Sequence, residues 1–248
     1  LAQAGQEGVE DIQAWAALVT LPQRAVAVGA GDYHSCATLE DHTIWCWGLN
    51  NRGQLGDGTT TGGPEPRQVV LSGHTETAEV LDLAAGSSHT CALVRVTISG
   101  LPRVFCWGSN SSSQLGVVLQ GGTGWSCLPV RVTALVSEGS AEPVAAQITA
   151  GVQHTCLRLE DDRVLCWGSN SYGLLGDPTA PLDSAQAVEV LGLLPDTRFL
   201  GRGLAEHACA VDLQGTLRCW GSDLWGQLGT GEPPGLDPNY LPSPVMWP

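Results

Sequence analysis

The chain has 248 residues, with 25 acidic against 11 basic side chains, a net charge of −14, and Arg as every basic residue. Phosphate binding needs a basic patch, so this balance excludes nucleic acid and an anionic membrane surface as partners. No apolar run reaches the roughly 18 to 20 residues that cross a bilayer, and no acidic loop of the calcium-binding type is present.

The chain opens at Leu1 and holds a single Met, Met246. That is expected of a product freed of a signal peptide, or of a piece excised from a longer protein. Residues 1–25 carry Ala4-Gly5-Gln6-Glu7-Gly8 and then an apolar stretch from Trp15 to Leu21. From there one phrase is spelled four times: a Gly, His-x-Cys, and a second Cys followed by Trp-Gly. Residues 26–79 hold Gly31, His34, Cys36 and Cys46-Trp47-Gly48; residues 80–145 hold Gly86, His89, Cys91 and Cys106-Trp107-Gly108. Residues 146–196 hold Gly151, His154, Cys156 and Cys166-Trp167-Gly168; residues 197–248 hold Gly203, His207, Cys209 and Cys219-Trp220-Gly221. The first Cys of successive copies stand 55, 65 and 53 residues apart, the length of a propeller blade or solenoid unit. The longer second unit is read as carrying an insertion, residues 117–143, with Trp125 and Cys127. With 32 Gly and 15 Pro, short strands and frequent turns are expected.

Between Cys36 and Cys46 lie two short strand-like runs around a polar turn centred on Asp41. A hairpin about that centre opposes the two Cys, and opposed residues of an antiparallel pair lie about 4.5 to 5.5 Å apart, within disulfide reach. The same reasoning pairs Cys156 with Cys166 and Cys209 with Cys219. Cys91 and Cys106 need a longer hairpin, with residues 94–103 as its tip. Four such bridges imply an oxidising compartment. The rival reading is metal, because His34 and Cys36 share one face of a strand and Cys46 faces them. Three ligands leave structural zinc incomplete, and no Cys-x-x-Cys occurs. The plainer account of His34, His89, His154 and His207 is a polar slot repeated in each blade. Cys127 has no counterpart in other copies, so it is an intermolecular partner, a free thiol or a buried apolar residue. Asn110-Ser111-Ser112 is a glycosylation sequon on an apparent turn.

Ala84-Ala85-Gly86-Ser87-Ser88-His89-Thr90-Cys91-Ala92-Leu93, with Cys46-Trp47-Gly48-Leu49-Asn50 and Gly53-Gln54-Leu55-Gly56-Asp57-Gly58-Thr59-Thr60, resembles the regulator-of-chromosome-condensation repeat family. The paired cysteines resemble its secreted, bacterial-like form. Later copies are weaker: repeat three carries Leu174 where Gln is usual. The resemblance covers residues 24–248 and implies an all-β fold, a β-propeller-like array of about four to five blades. Residues 1–25 then read as a decayed half repeat. The resemblance also implies that Trp47, Trp107, Trp167 and Trp220 are blade core. Relatives usually close a ring of seven blades, so an array this short is expected to have raw ends suited to association.

No nucleophile-elbow, zinc-protease or phosphate-loop motif occurs, so no enzyme and no cofactor are expected. Two functions remain. The leading one is an extracellular structural protein that assembles head-to-tail with copies of itself into a filament or surface array. The other is a monomeric module that recognises an extracellular protein or glycan through loops on one face. Candidate interaction residues are Trp15, Trp125, Trp225, Trp247 and the tip at 94–103.

Overall fold

A computed structural model of the chain describes residues 18–71, 79–96, 99–119, 124–135, 143–203, 205–233 and 239–246. Trp15, most of the half repeat and Trp247 lie outside them. The described chain is sixteen strands in four antiparallel sheets, each a meander of four consecutive strands. The first blade is β1 (Ala25–Ala30), β2 (His34–Leu39), β3 (Ile44–Gly48) and β4 (Gly63–Gln68). The second is β5 (Glu79–Ala85), β6 (His89–Arg95), β7 (Pro102–Ser109) and β8 (Trp125–Arg131). The third is β9 (Ala145–Ala150), β10 (His154–Leu159), β11 (Val164–Ser169) and β12 (Asp183–Glu189). The fourth is β13 (Thr197–Leu200), β14 (His207–Asp212), β15 (Leu217–Gly221) and β16 (Asn239–Pro244). First strands of successive blades face one another around an axis, β1 against β5, β5 against β9 and β9 against β13.

Within each blade the register follows from the central hairpin. Cys36 opposes Cys46, Cys91 opposes Cys106, Cys156 opposes Cys166 and Cys209 opposes Cys219, each pair bridged with Cα atoms 4.1 Å apart. The expected disulfides therefore hold, and with both sulfurs of each pair bonded the metal reading loses its thiolates. Each bridge closes a short loop inside one hairpin. Removing one, as Cys36→Ala with Cys46→Ala, is expected to cost about 2 to 3 kcal/mol by loop-closure entropy. Chemical denaturation measures it, and an unchanged midpoint overturns it.

The Gly of each Trp-Gly opposes the His of its own copy and has positive φ, 107° at Gly48, 98° at Gly108, 106° at Gly168 and 108° at Gly221. A Cβ at Gly48 would sit 2.4 Å from the Tyr33 carbonyl oxygen, so only Gly fits where the chain leaves the strand. The register also shifts by a bulge between the Cys and this Gly in all four copies. The shift leaves the Trp paired only with the second strand of its blade, opposite Ser35, Thr90, Thr155 and Ala208 in turn.

Three expectations are corrected. The segment 117–143 is not simply inserted, because β8 within it is the blade's fourth strand, with Ser109 opposite Trp125 and Cys106 opposite Val130. Part of the extra length lies in the central hairpin, where Cys91 and Cys106 stand 15 residues apart against 10 in the other copies. The tip at 94–103 is shorter than expected, because Val94 pairs with Arg103 and Arg95 with Pro102. Cross-strand burial wins over the loop reading there: Val94 is core. Trp107, Trp167 and Trp220 are fully buried, but Trp47 is only half-buried, since no described blade precedes it.

Candidate functional site

In a four-strand meander the first and third connections emerge at one edge and the second at the other. Backbone bonds tie the two connections of each blade together. Leu49 N–H donates to Tyr33 O at 2.7 Å, Ser109 to Ser88 at 2.8 Å, Ser169 to Gln153 at 2.9 Å and Ser222 to Glu206 at 2.8 Å. Eight connections therefore share one face, and the repeated residues beneath them hold their shape. Leu55, Leu115, Leu175 and Leu228 are each drawn in by a side-chain acceptor on their N–H: Asn50, Asn110, Asn170 and Asp223, at 2.9 to 3.0 Å. Asn110 is half-buried and its Nδ2 also donates to Val117 O at 3.1 Å. Its amide is thus engaged in the turn, which is the role its equivalents play.

Two of the positions at which the copies differ on this face stand out. Before the His stand Tyr33, Ser88, Gln153 and Glu206, and at the tip after Trp-Gly stand Arg52, Ser112, Tyr172 and Trp225. Trp225 is 88% exposed and Tyr33 71% exposed. Where the third and fourth blades meet, Gln153, Ser171, Tyr172, Leu174 and Glu206 line a cleft of about 200 Å³. Such a face offers aromatic surface, hydroxyls and carboxylates on a rigid base, which suits contact with a partner. Trp125, half-buried and paired inside β8, is less available than Trp225.

Sequence reasoning located the His residues but missed what they do. His34 Nε2 lies 2.8 Å from Thr90 Oγ1 of the next blade, and Thr90 Oγ1 donates to Gln54 O of the first at 3.1 Å. The Thr proton being used, Nε2 is the donor. His89, Thr155 and Gln114 repeat the chain at 3.0 and 2.9 Å. Trp indoles complete each lock: Trp107 Nε1 donates to Gln54 O, Trp167 to Gln114 O and Trp220 to Leu174 O, at 2.9, 2.9 and 3.0 Å. The acceptor is a backbone carbonyl, so Leu174 serves as well as Gln. Burial pushes His34 down to about 4, His89 to about 3 and His154 to about 4, and it lowers half-buried His207 as well. Asp32 opposes the shift at His34, and Asp223 at His207. Nδ1 of His34, His89 and His154 is buried without a partner.

Arg202 escaped notice too. Its Nη2 donates to Asp82 Oδ1 at 2.7 Å, while Asp82 Oδ2 accepts from Ile148 N at 3.0 Å, joining the second, third and fourth blades near the axis. No motif flags a lone Asp and Arg 120 residues apart. Cys127 is half-buried with its thiol free. Its carbonyl accepts from Gly58 N at 2.9 Å, and a Cβ on Gly53 would lie 2.4 Å from its Cα. It therefore packs where the first two blades meet.

A family model described as the regulator of chromosome condensation (RCC1) repeat matches residues 41–93 and 103–158, and a second of the same description matches 25–54 and 145–174. The chain is 30% identical over 217 residues to the ultraviolet-B receptor UVR8 of Arabidopsis thaliana, covering 85% of this chain and 44% of that one. Human WBSCR16 superposes with a TM-score of 0.74 at 23% identity, covering 92% of this chain and 55% of that one. Prp20p of Saccharomyces cerevisiae, described with its binding to Gsp1p and histones, gives 0.72 at 22% identity, covering 90% and 50%. Those two likenesses concern the fold. The chain spans about half the length of these relatives.

Proposed function

The chain belongs to the RCC1 repeat family, and from that premise we propose that it is a non-catalytic module that binds a protein through its eight-connection face. The observation that carries this reading is the contrast between Trp225 and Trp220, five residues apart. Trp220 is locked in a seam, while Trp225 is held out at 88% exposure on a tip whose equivalents are Arg52, Ser112 and Tyr172. Large aromatics on rigid loops are where binding energy concentrates. The protein partners named for Prp20p support a protein ligand, and the four disulfides support an extracellular setting. Tyr33→Ala with Trp225→Ala is expected to leave the melting temperature nearly unchanged. It should weaken capture of partners from the surrounding medium by about tenfold or more. Equal capture by wild type and variant, quantified by mass spectrometry, overturns this reading.

A second reading is association of the chain with copies of itself into an extracellular filament or array, and one observation favours it. In the first blade Val28 of β1 is 73% exposed and Trp47 of β3 is only half-buried. The route through residues 1–21 and Trp247 lies outside the described residues. Cys127, half-buried with its thiol free, stays available to this reading as a covalent lock between copies.

A further inference from the structure

The two ends of the array hold matching halves of one blade seam. The internal seams are built from four parts, three of them present in every seam and the fourth, a hydroxyl, in two. An aliphatic residue opposite the one after the first Cys plugs the preceding blade: Leu83, Ile148 and Leu200, exposed by 1%, 0% and 4%. It shares a core cluster with a Val just past the fourth strand of that preceding blade, Val69, Val132 and Val190 in turn, all buried. A Trp indole donates to the carbonyl in the preceding Gln-Leu-Gly loop. A hydroxyl beside the first Cys receives the preceding blade's imidazole, at Thr90 and Thr155.

The first blade keeps every part that docks onto a preceding blade. Val28, opposite Ala37, is the fourth plug; Ser35 supplies the hydroxyl beside Cys36; and Trp47 supplies the indole. Its Nε1 has no acceptor among the described residues. The fourth blade keeps every part that receives a following one. His207 and Val245 are half-buried where their equivalents are buried, and the Gln227 carbonyl occupies the place of Gln54 O. The internal seam before the fourth blade has lost its hydroxyl, since Ala208 replaces Thr. The open ends have lost nothing.

The geometry points to a second copy of this chain as the occupant. The first blade of one molecule docks on the fourth blade of the next, with Val28 against Val245, Trp47 Nε1 donating to Gln227 O, and His207 donating to Ser35 Oγ. This inference rests on the self-association reading and continues the three internal seams. The contact is heterologous, so repetition gives a ring or a filament.

Complementary blocked ends test it. In sedimentation of the full chain, the weight-average mass should rise with concentration to about twice the monomer value or more. Val28→Asp blocks the docking end at an exposed site, and Val245→Asp blocks the receiving end; each alone should sediment as monomer. Mixed, they should form a dimer and no larger species, because one good end of each kind remains. Far-ultraviolet circular dichroism checks folding. His207→Ala, which spares the aliphatic plug, provides a second receiving-end variant with weakened association. A wild-type chain that stays monomeric at high concentration overturns the inference. So does association that survives both Asp variants, which would leave self-association standing but assign it to another surface. Trp225→Ala should leave sedimentation unchanged, so the loop-face reading stands or falls separately.

Discussion

Trp107→Ala is expected to cost about 3 to 5 kcal/mol, whereas Trp47→Ala should cost about 1 kcal/mol or less in the monomer. Both Trp occupy the same place in their repeats. Trp107 is fully buried and donates to Gln54 O at 2.9 Å. Truncation there opens a large cavity and strips a buried carbonyl of one donor. Trp47 is half-buried, with no preceding blade among the described residues, so its truncation opens no enclosed cavity. Trp167→Ala and Trp220→Ala should behave like Trp107→Ala. Chemical denaturation of the four variants measures the split. Four equal losses would show that the Trp acts within its own blade and would dismiss the seam account.

Acidification from pH 7 to 4.5 should unfold the protein well before its carboxylates titrate. The folded values for His34, His89 and His154 lie near 4, 3 and 4, against about 6.5 in the unfolded chain. A lowered folded value means that the unfolded state binds protons first. The stabilisation is therefore complete above about pH 6.5 and is lost as pH falls towards the folded values. Each neutral imidazole contributes on the order of 2 to 4 kcal/mol, which for three together is comparable with a domain's whole stability. The physical cause is burial: protonated Nδ1 would be a charge with no acceptor, as that atom has no partner. Asp57 and Asp212, whose values desolvation raises but hydrogen bonds led by those from Thr59 and Thr216 lower on balance, add their own loss only below the usual carboxylate range. Thermal melts between pH 8 and 4.5 check this, with His89→Gln expected to flatten the curve. A melting temperature independent of pH across that window rejects it.

Much of the fold was legible because a blade is a local object. The spacing of Cys36 and Cys46 about Asp41 fixes a hairpin register, and that register opposes the two sulfurs. The repeated Trp-Gly announces a strand end where only Gly fits. The loop face was legible only in part. Trp225 differs from its counterparts in the sequence itself, yet nothing there separates it from Trp125, which the sheet half-buries. Residues 94–103 were expected as the tip of a longer hairpin because Cys91 and Cys106 stand 15 residues apart instead of 10, but pairing extends through Arg95, Pro102 and Arg103.

The sequence by itself determined the four repeats, their internal pairing, the net charge of −14 and the four bridges. Only the tertiary structure decided which repeated residues are buried. Val28 and Leu83 hold equivalent places opposite Ala37 and Ala92, yet one is 73% exposed and the other 1%. Likewise His34 meets Thr90 across 56 residues while His207 meets no following blade among the described residues. The reason is physical: short-loop pairing is dictated by residues a few positions apart, whereas burial in a seam depends on whether another blade stands beside it.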